Sequence, residues 1–266
     1  MYPQNITEKL SIDEVCLSKG ELYTILTSKA GKGKKNTIIA IVKGTKSEMV
    51  LEHLLKLPKS LRNKVKEITL DMAGSMKQIA KKCFINATQV IDRFHVQKLA
   101  SEALQNFRIK HRWIEMDNEN NAIILAKVTN KTYSTDILSN GDTKKQLLAR
   151  SRHLLYKSSN NWTLDQQHRA KLLFELYPEI EQAYKLTNKL RSIYNQLIPK
   201  EVAMTKLAYW FNQVENTNLK QFNTVVKTFR LHYADILNYF NDRSTNASAE
   251  SFNAKIKYFR MMYRGG

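Results

Sequence analysis

Three carboxylates that lie far apart in the chain stand where a sheet and a helix could gather them. Asp13 lies inside the strand-like run of residues 9–16, Asp71 closes a second run at residues 65–70, and Glu250 follows Ser244, Thr245 and Asn246. Those last three side chains carry oxygens suited to starting a helix. Three clustered carboxylates repel one another unless a cation sits between them. Oxygen-only donors suit Mg²⁺ or Mn²⁺ and do not suit zinc. Two such ions can activate an attacking oxygen and stabilise the leaving oxygen of a phosphodiester. Each residue alone also has a plainer reading. A single helix Glu is usually solvated surface, and Asp71 could cap the turn that follows it. Asp13 is the most telling, because a half-buried Asp in a strand demands a partner. Its neighbour Glu14 faces the other side of the sheet, so only one of the two readily joins a given site.

Further polar residues fall near these three. In Asp92-Arg93-Phe94-His95, Asp92 can cap a helix with Phe94 anchoring its start. Alternatively Asp92 and His95 lie at a strand end and steady a ligand or touch the scissile phosphate. Glu250, Asn253 and Lys257 form one polar stripe of a helix, and Phe252, Ile256 and Phe259 an apolar stripe on another side. His111, His153, His168 and His232 show no ligand spacing and read as incidental. Lys255, Lys257, Arg260 and the Arg108, Lys110, Arg112 run are candidates for sequence-independent phosphate contacts.

Composition agrees with a polyanionic partner. The 266 residues carry 43 Lys and Arg against 24 Asp and Glu, a net charge of +19, with pI about 9.8. Nucleic acid is the simplest such partner, although ribosomal and membrane-surface proteins can be as basic. A hydrophobic fraction of 42% supports a real core, and 8 Gly and 4 Pro exclude a disordered or all-turn chain. Cys16 and Cys83 form neither a zinc pattern nor a disulfide framework, which fits a reducing, cytoplasmic setting. No apolar run is long enough to span a membrane and no signal peptide is expected.

The elements that must position the acids read as follows. Strands are expected at 9–16, 21–28, 37–42, 65–70 and 87–91. A helix opened by a Thr45/Glu48 capping box ends before Pro58, another runs to about Cys83, and a long one with Val96, Leu99, Ala103 and Phe107 inward follows Asp92. The basic loop 29–35 reads as a hairpin tip that either touches phosphate or is simply solvated. Strand one beside strand four would bring Asp13 and Asp71 together. Hairpins followed by helix crossovers imply an α/β fold: a mixed, RNase H-like sheet with flanking helices. From about residue 114 only helical periodicity remains, with a Thr163/Gln166 capping box and turns at 118–121 and 158–161. The expected division is a first core part, 1–113, an all-α insertion, 114–243, and a closing core helix, 244–266.

The segments SIDEVCLSKGELYT, ITLDMAGSMKQIAKKCFINATQVIDRFHVQKLA and STNASAESFNAKIK resemble the ISL3-type insertion-sequence DDE transposases, most nearly the ISAon group. The resemblance implies divalent-metal-dependent cleavage and strand transfer of double-stranded DNA at the ends of a mobile element and at its target. It implies that Asp13, Asp71 and Glu250 are catalytic and hold two Mg²⁺ or Mn²⁺ ions, that Asp92 and His95 form the Asp-x-x-His signature, and that the enzyme works as a homodimer near the nucleoid. Relatives often carry an N-terminal DNA-reading region. This chain begins almost at the first catalytic strand, so a separate small DNA-reading protein is expected. It also ends soon after Glu250, where relatives continue, so the alternative reading is a truncated, non-catalytic DNA-binding remnant. A third is an RNase H-like nuclease of structured nucleic acid.

Overall fold

The computed structural model describes residues 1–18 (the side chains of 17 and 18 aside), 20–246, 250, 253–255, 258, 261 and 262. Two compact units emerge: Met1–Val96 with Ile198–Ala203 and Leu231–Gly266, and Gln97–Leu197 with Met204–Arg230. The boundary expected at 113/114 falls inside a single helix.

The first unit is built on a five-stranded sheet in the order β3-β2-β1-β4-β5. The strands are β1 (Lys9–Ser18), β2 (Glu21–Ser28), β3 (Ile38–Lys43), β4 (Glu67–Leu70) and β5 (Thr88–Ile91). β-Branched and apolar residues fill them, as such pleated, buried surfaces favour. β1, β2 and β3 pair antiparallel through hairpins, and Gly20 at φ +80° supplies the left-handed residue of the first turn. β1 pairs β4 and β4 pairs β5 in parallel, so the expected neighbourhood of strands one and four is formed. The crossovers carry helices α1 (Ser47–Leu54), α2 (Lys59–Arg62) and α3 (Gly74–Cys83). α1 packs on α3 and β3, and α3 on β4. Leu10, Ile12, Ile25, Ile39, Ile68, Leu70 and Ile79 are buried in this core. The sheet and its helices are compatible with an RNase H-like transposase core.

The helix that continues from β5, α4 (Arg93–Val128), runs for 36 residues. The turn expected at 118–121 therefore does not exist: the Asn residues there sit inside α4, their weak helix preference overridden by the continuing backbone ladder. Residues 158–161, by contrast, do leave the regular pattern, in a short 3-10 turn at Ser159–Asn161.

Among its described residues the second unit contains helices and short 3-10 turns only: most of α4, then α5 (Lys144–Arg150), α6 (Leu164–Leu176), α7 (Pro178–Asn195), most of α8 (Lys200–Glu215) and α9 (Lys220–Leu231). Capping boxes start α5 at Thr143/Gln146 and α6 at Thr163/Gln166. The Thr45/Glu48 box expected for α1 is not made. Lys46 takes the cap position without a side-chain bond, and Ser47 Oγ donates to Glu48 instead. Trp210 anchors the helical core, fully buried, stacked on Phe229 at 5.6 Å and donating its indole N–H to Leu186 O at 2.9 Å. The periodic apolar stripes of these helices are thus packing faces. No described helix is long and apolar enough to cross a membrane.

Candidate active site

Strand register sets the first part of the site. Ser11 on β1 pairs Thr69 on β4, and Thr69 pairs Val90 on β5. Two residues further along each chain stand Asp13, Asp71 and Asp92. Side chains repeat their face every second residue, so these acids extend one polar track: Lys9, Ser11, Asp13 on β1 and Glu67, Thr69, Asp71 on β4. Asp71 and Asp92 are the first residues beyond the ends of β4 and β5, where open sheets leave a crevice for ligands.

Hydrogen bonds bring the Glu250 segment to the same place. Asp92 is 1% exposed and both its oxygens are occupied: Oδ1 accepts from Phe94 N at 3.1 Å and Oδ2 from Asn246 N at 3.0 Å. Asn246, fully buried, accepts from Ser11 Oγ at 2.6 Å through Oδ1, and its carbonyl accepts from Glu250 N at 2.9 Å. One turn beyond Glu250, Asn253 Nδ2 donates to Asp13 Oδ2 at 2.9 Å. Residues three and four apart share a helix face, so Glu250 is held between two fastenings, one to Asp92 and Ser11 and one to Asp13. Asp13 Oδ1 also accepts from Glu14 N at 2.9 Å, and Asp71 Oδ1 from Ala73 N at 2.8 Å.

The electrostatics follow from this crowding. Burial pushes the Asp13 carboxyl up to about 6; the Glu14 N–H and the His95 charge oppose the shift, and the Asp71 and Glu250 charges add to it. Burial, then the Asp92 charge, raises Glu250. Burial, then Asp71, raises Glu14, so Glu14 feels the site although its position in the strand points it to the opposite face. Five acids and one imidazole from four segments therefore share one field.

The donors fit a hard divalent cation in kind: carboxylate oxygens whose mutual repulsion such an ion would relieve. Asn253 Oδ1 adds a buried oxygen acceptor with no partner among the described residues, beside Asp13. As the side chains stand, no three His, Cys, Asp or Glu among the described residues are close enough to hold an ion. The acids share a crevice without closing to ligating distance.

The remaining predicted residues divide. Lys255, Lys110 and Arg112 are exposed; Lys257 and Arg260, with Phe252, Ile256 and Phe259, lie outside the described residues. Arg108 is a correction. It is 6% exposed in the second unit, where its guanidinium donates to Gln105 Oε1 at 2.6 Å and Leu148 O at 3.0 Å. It braces helices and presents nothing to a phosphate. His232 is a second correction. It is 7% exposed, its Nδ1 is a buried nitrogen without a partner among the described residues, and burial and the Lys77 charge lower its pKa while the Asp235 and Asp71 charges pull the other way. It borders the site, and no spacing in the sequence marks it. Asn246 was read only as a helix starter, and its link to Ser11 spans most of the chain.

A family model described as a transposase, of the ISL3 DDE type, matches residues 10–265. No curated protein and no solved structure matches the chain.

Proposed function

This chain belongs to the ISL3-type transposase family, and from that premise we propose that it is a DDE enzyme whose catalytic carboxylates are Asp13, Asp71 and Glu250. The observation that supports the assignment is the 2.9 Å bond from Asn253, one turn beyond Glu250, to Asp13; the Asp13 carboxyl, pushed up to about 6 chiefly by burial, also feels the charges of Asp71 and Glu250. Three residues so distant in sequence feel one another only if the fold gathers them.

In this reading the three carboxylates hold two Mg²⁺ or Mn²⁺ ions. Bound there, such ions activate the attacking oxygen, water and then a freed 3′-hydroxyl, and stabilise the leaving oxygen of the phosphodiester. The protein's own residues orient and restrain. Asp92 has both oxygens engaged by backbone N–H groups, so it serves as a positioning residue that fixes Asn246 and the first turn before Glu250. Asn253 aims Asp13 and keeps Oδ1, without a partner among the described residues, as a buried acceptor beside it. His95 faces the Asp13 charge and lies within reach of the scissile phosphate. Lys255, Lys110 and Arg112 meet DNA phosphates, and the second, helical unit is an insertion in an RNase H-like core. Cutting two element ends calls for two such centres, hence a homodimer on DNA.

The test is cleavage, in Mg²⁺, of duplexes carrying the ends of the element that encodes the chain. Asp13→Ala, Asp71→Ala and Glu250→Ala are each expected to abolish cutting while DNA binding persists. A variant that cuts like the parent removes that residue from the metal-holding set.

A further inference from the structure

The polar track that ends in the acids has a cation built into it. Lys29 opens the 3-10 turn Lys29–Gly31 directly after β2. Its neighbours Lys32, Lys34 and Lys35 are exposed, but its own side chain is only 15% exposed and turns onto the sheet. There Nζ donates to Thr69 Oγ1 and, at 3.3 Å, to Glu67 Oε1. Thr69 is fully buried and precedes Asp71 by two residues on the same face. Two residues of strand rise about 6.6 Å, so the ammonium lies roughly one such step beneath the level of Asp71. Glu67 lies one step further down, where Lys9 also approaches it at 3.8 Å. The Lys29–Glu67 pair therefore turns its positive end toward the carboxylates, and the Asp92 charge acts on Lys29.

We propose that Lys29 is the resident countercharge of the carboxylate row, a positioning residue that holds the acids together before metal arrives and sets, by repulsion, how tightly divalent ions bind. The proposal rests on the assignment of Asp13, Asp71 and Glu250 above. A buried salt bridge with Glu67 alone would need no bond to Thr69, the residue that carries the ammonium toward the row.

Mg²⁺ titrations followed by thermal unfolding test this without DNA. Lys29→Gln keeps a donor for Thr69 and removes the charge. Its apparent Mg²⁺ dissociation constant is expected to fall by roughly threefold to tenfold, the effect of a unit charge on a dication at that range in a well-solvated crevice. Lys29→Arg keeps the charge and is expected to titrate within about twofold of the parent, since charge sets the effect. Lys29→Gln titrating at the parent concentration, or Lys29→Arg moving as far as Lys29→Gln, overturns the proposal. If Lys29→Gln unfolds in EDTA, recovery in Mg²⁺ supports it and failure to recover overturns it. A parent with no Mg²⁺ response overturns the carboxylate assignment as well; a parent that responds while the variants do not differ overturns the Lys29 proposal alone.

Discussion

Each unit draws an aspartate out of full contact with water in its own way, Asp142 completely and Asp13 in part. In the helical unit Asp142 is fully buried and faces cations: Arg150 bonds Oδ1, and Arg169 Nε reaches Oδ2 at 3.3 Å, with Asn140 Nδ2 at 2.9 Å. In the sheet unit Asp13 has a backbone N–H and an amide for partners, while Asp71 and Glu250 add repulsion. A buried charge met by opposite charge holds a structure together. A half-buried charge that faces two of its own sign, with His95 as the opposing charge, is costly as it stands and points to a ligand the site is shaped for. The same residue type is thus a brace in one unit and a candidate ligand in the other.

Removing each carboxylate should sharpen the contrast most. Asp13→Ala is expected to lower cleavage by on the order of 10³-fold or more, as loss of a metal-holding group does, with unfolding in metal-free buffer unchanged or slightly harder. Asp142→Ala should do the reverse, leaving cleavage per folded molecule intact and costing about 2–3 kcal/mol of stability by chemical denaturation, because Arg169 and Asn140 lose their acceptor. If both changes act only on stability, the division between brace and ligand fails.

Asp92 stands between these extremes, fully engaged yet inside the site. Asp92→Ala frees the Asn246 N–H and loosens the turn that leads to Glu250. Outer partners of metal ligands commonly contribute 10- to 100-fold, so a loss of about that size is expected in cleavage together with a weaker Mg²⁺ response in thermal unfolding. A stability loss with an unchanged Mg²⁺ response would make Asp92 a helix cap and nothing more.

The pH dependence of stability isolates the contribution of Asp13. The folded chain keeps a proton on Asp13 up to about pH 6, whereas the unfolded chain releases it near 3.8. Unfolding therefore releases a proton between roughly pH 4 and 6, and the stability Asp13 contributes is present below that window and lost as pH rises through it. The expected fall is about 3 kcal/mol in EDTA, read from denaturation midpoints. Asp13→Asn should flatten it, and Mg²⁺ should offset it above pH 6.

How much of this was legible in the sequence depends on whether the signal was local. β2 occupies residues 21–28 as its composition implied, and the Thr163/Gln166 box needs only four residues to declare itself. The approach of Asp13 to Asp71 hung on one condition, strand one lying beside strand four, and β1 does pair β4. The rest needed contacts across long stretches of chain. Nothing near Asn246 announces Ser11 as its partner, and nothing near Lys29 announces Thr69. His232 has no ligand spacing, yet packing sets it near Asp71. A local signal does mark the track: Lys9, Ser11, Asp13 and Glu67, Thr69, Asp71 alternate at period two with the apolar Leu10, Ile12, Ile68 and Leu70.

The smallest expected effect concerns two basic residues that the sequence offered as equals. Lys255 is exposed in the sheet unit, its Nζ 3.5 Å from Gly33 O in the basic loop after β2. Arg108 is enclosed in the helical unit. A residue that neutralises one phosphate contributes about 0.9 to the slope of log affinity against log salt. Lys255→Gln should lower that slope by about this amount and weaken duplex binding less than tenfold at moderate salt. Arg108→Gln should leave the slope unchanged and lower the denaturation midpoint, since Leu148 O loses its donor. Formal charge predicts the same slope change for both, and burial predicts it for Lys255 alone, so salt titrations of the two variants decide whether burial or charge count governs where this chain meets DNA.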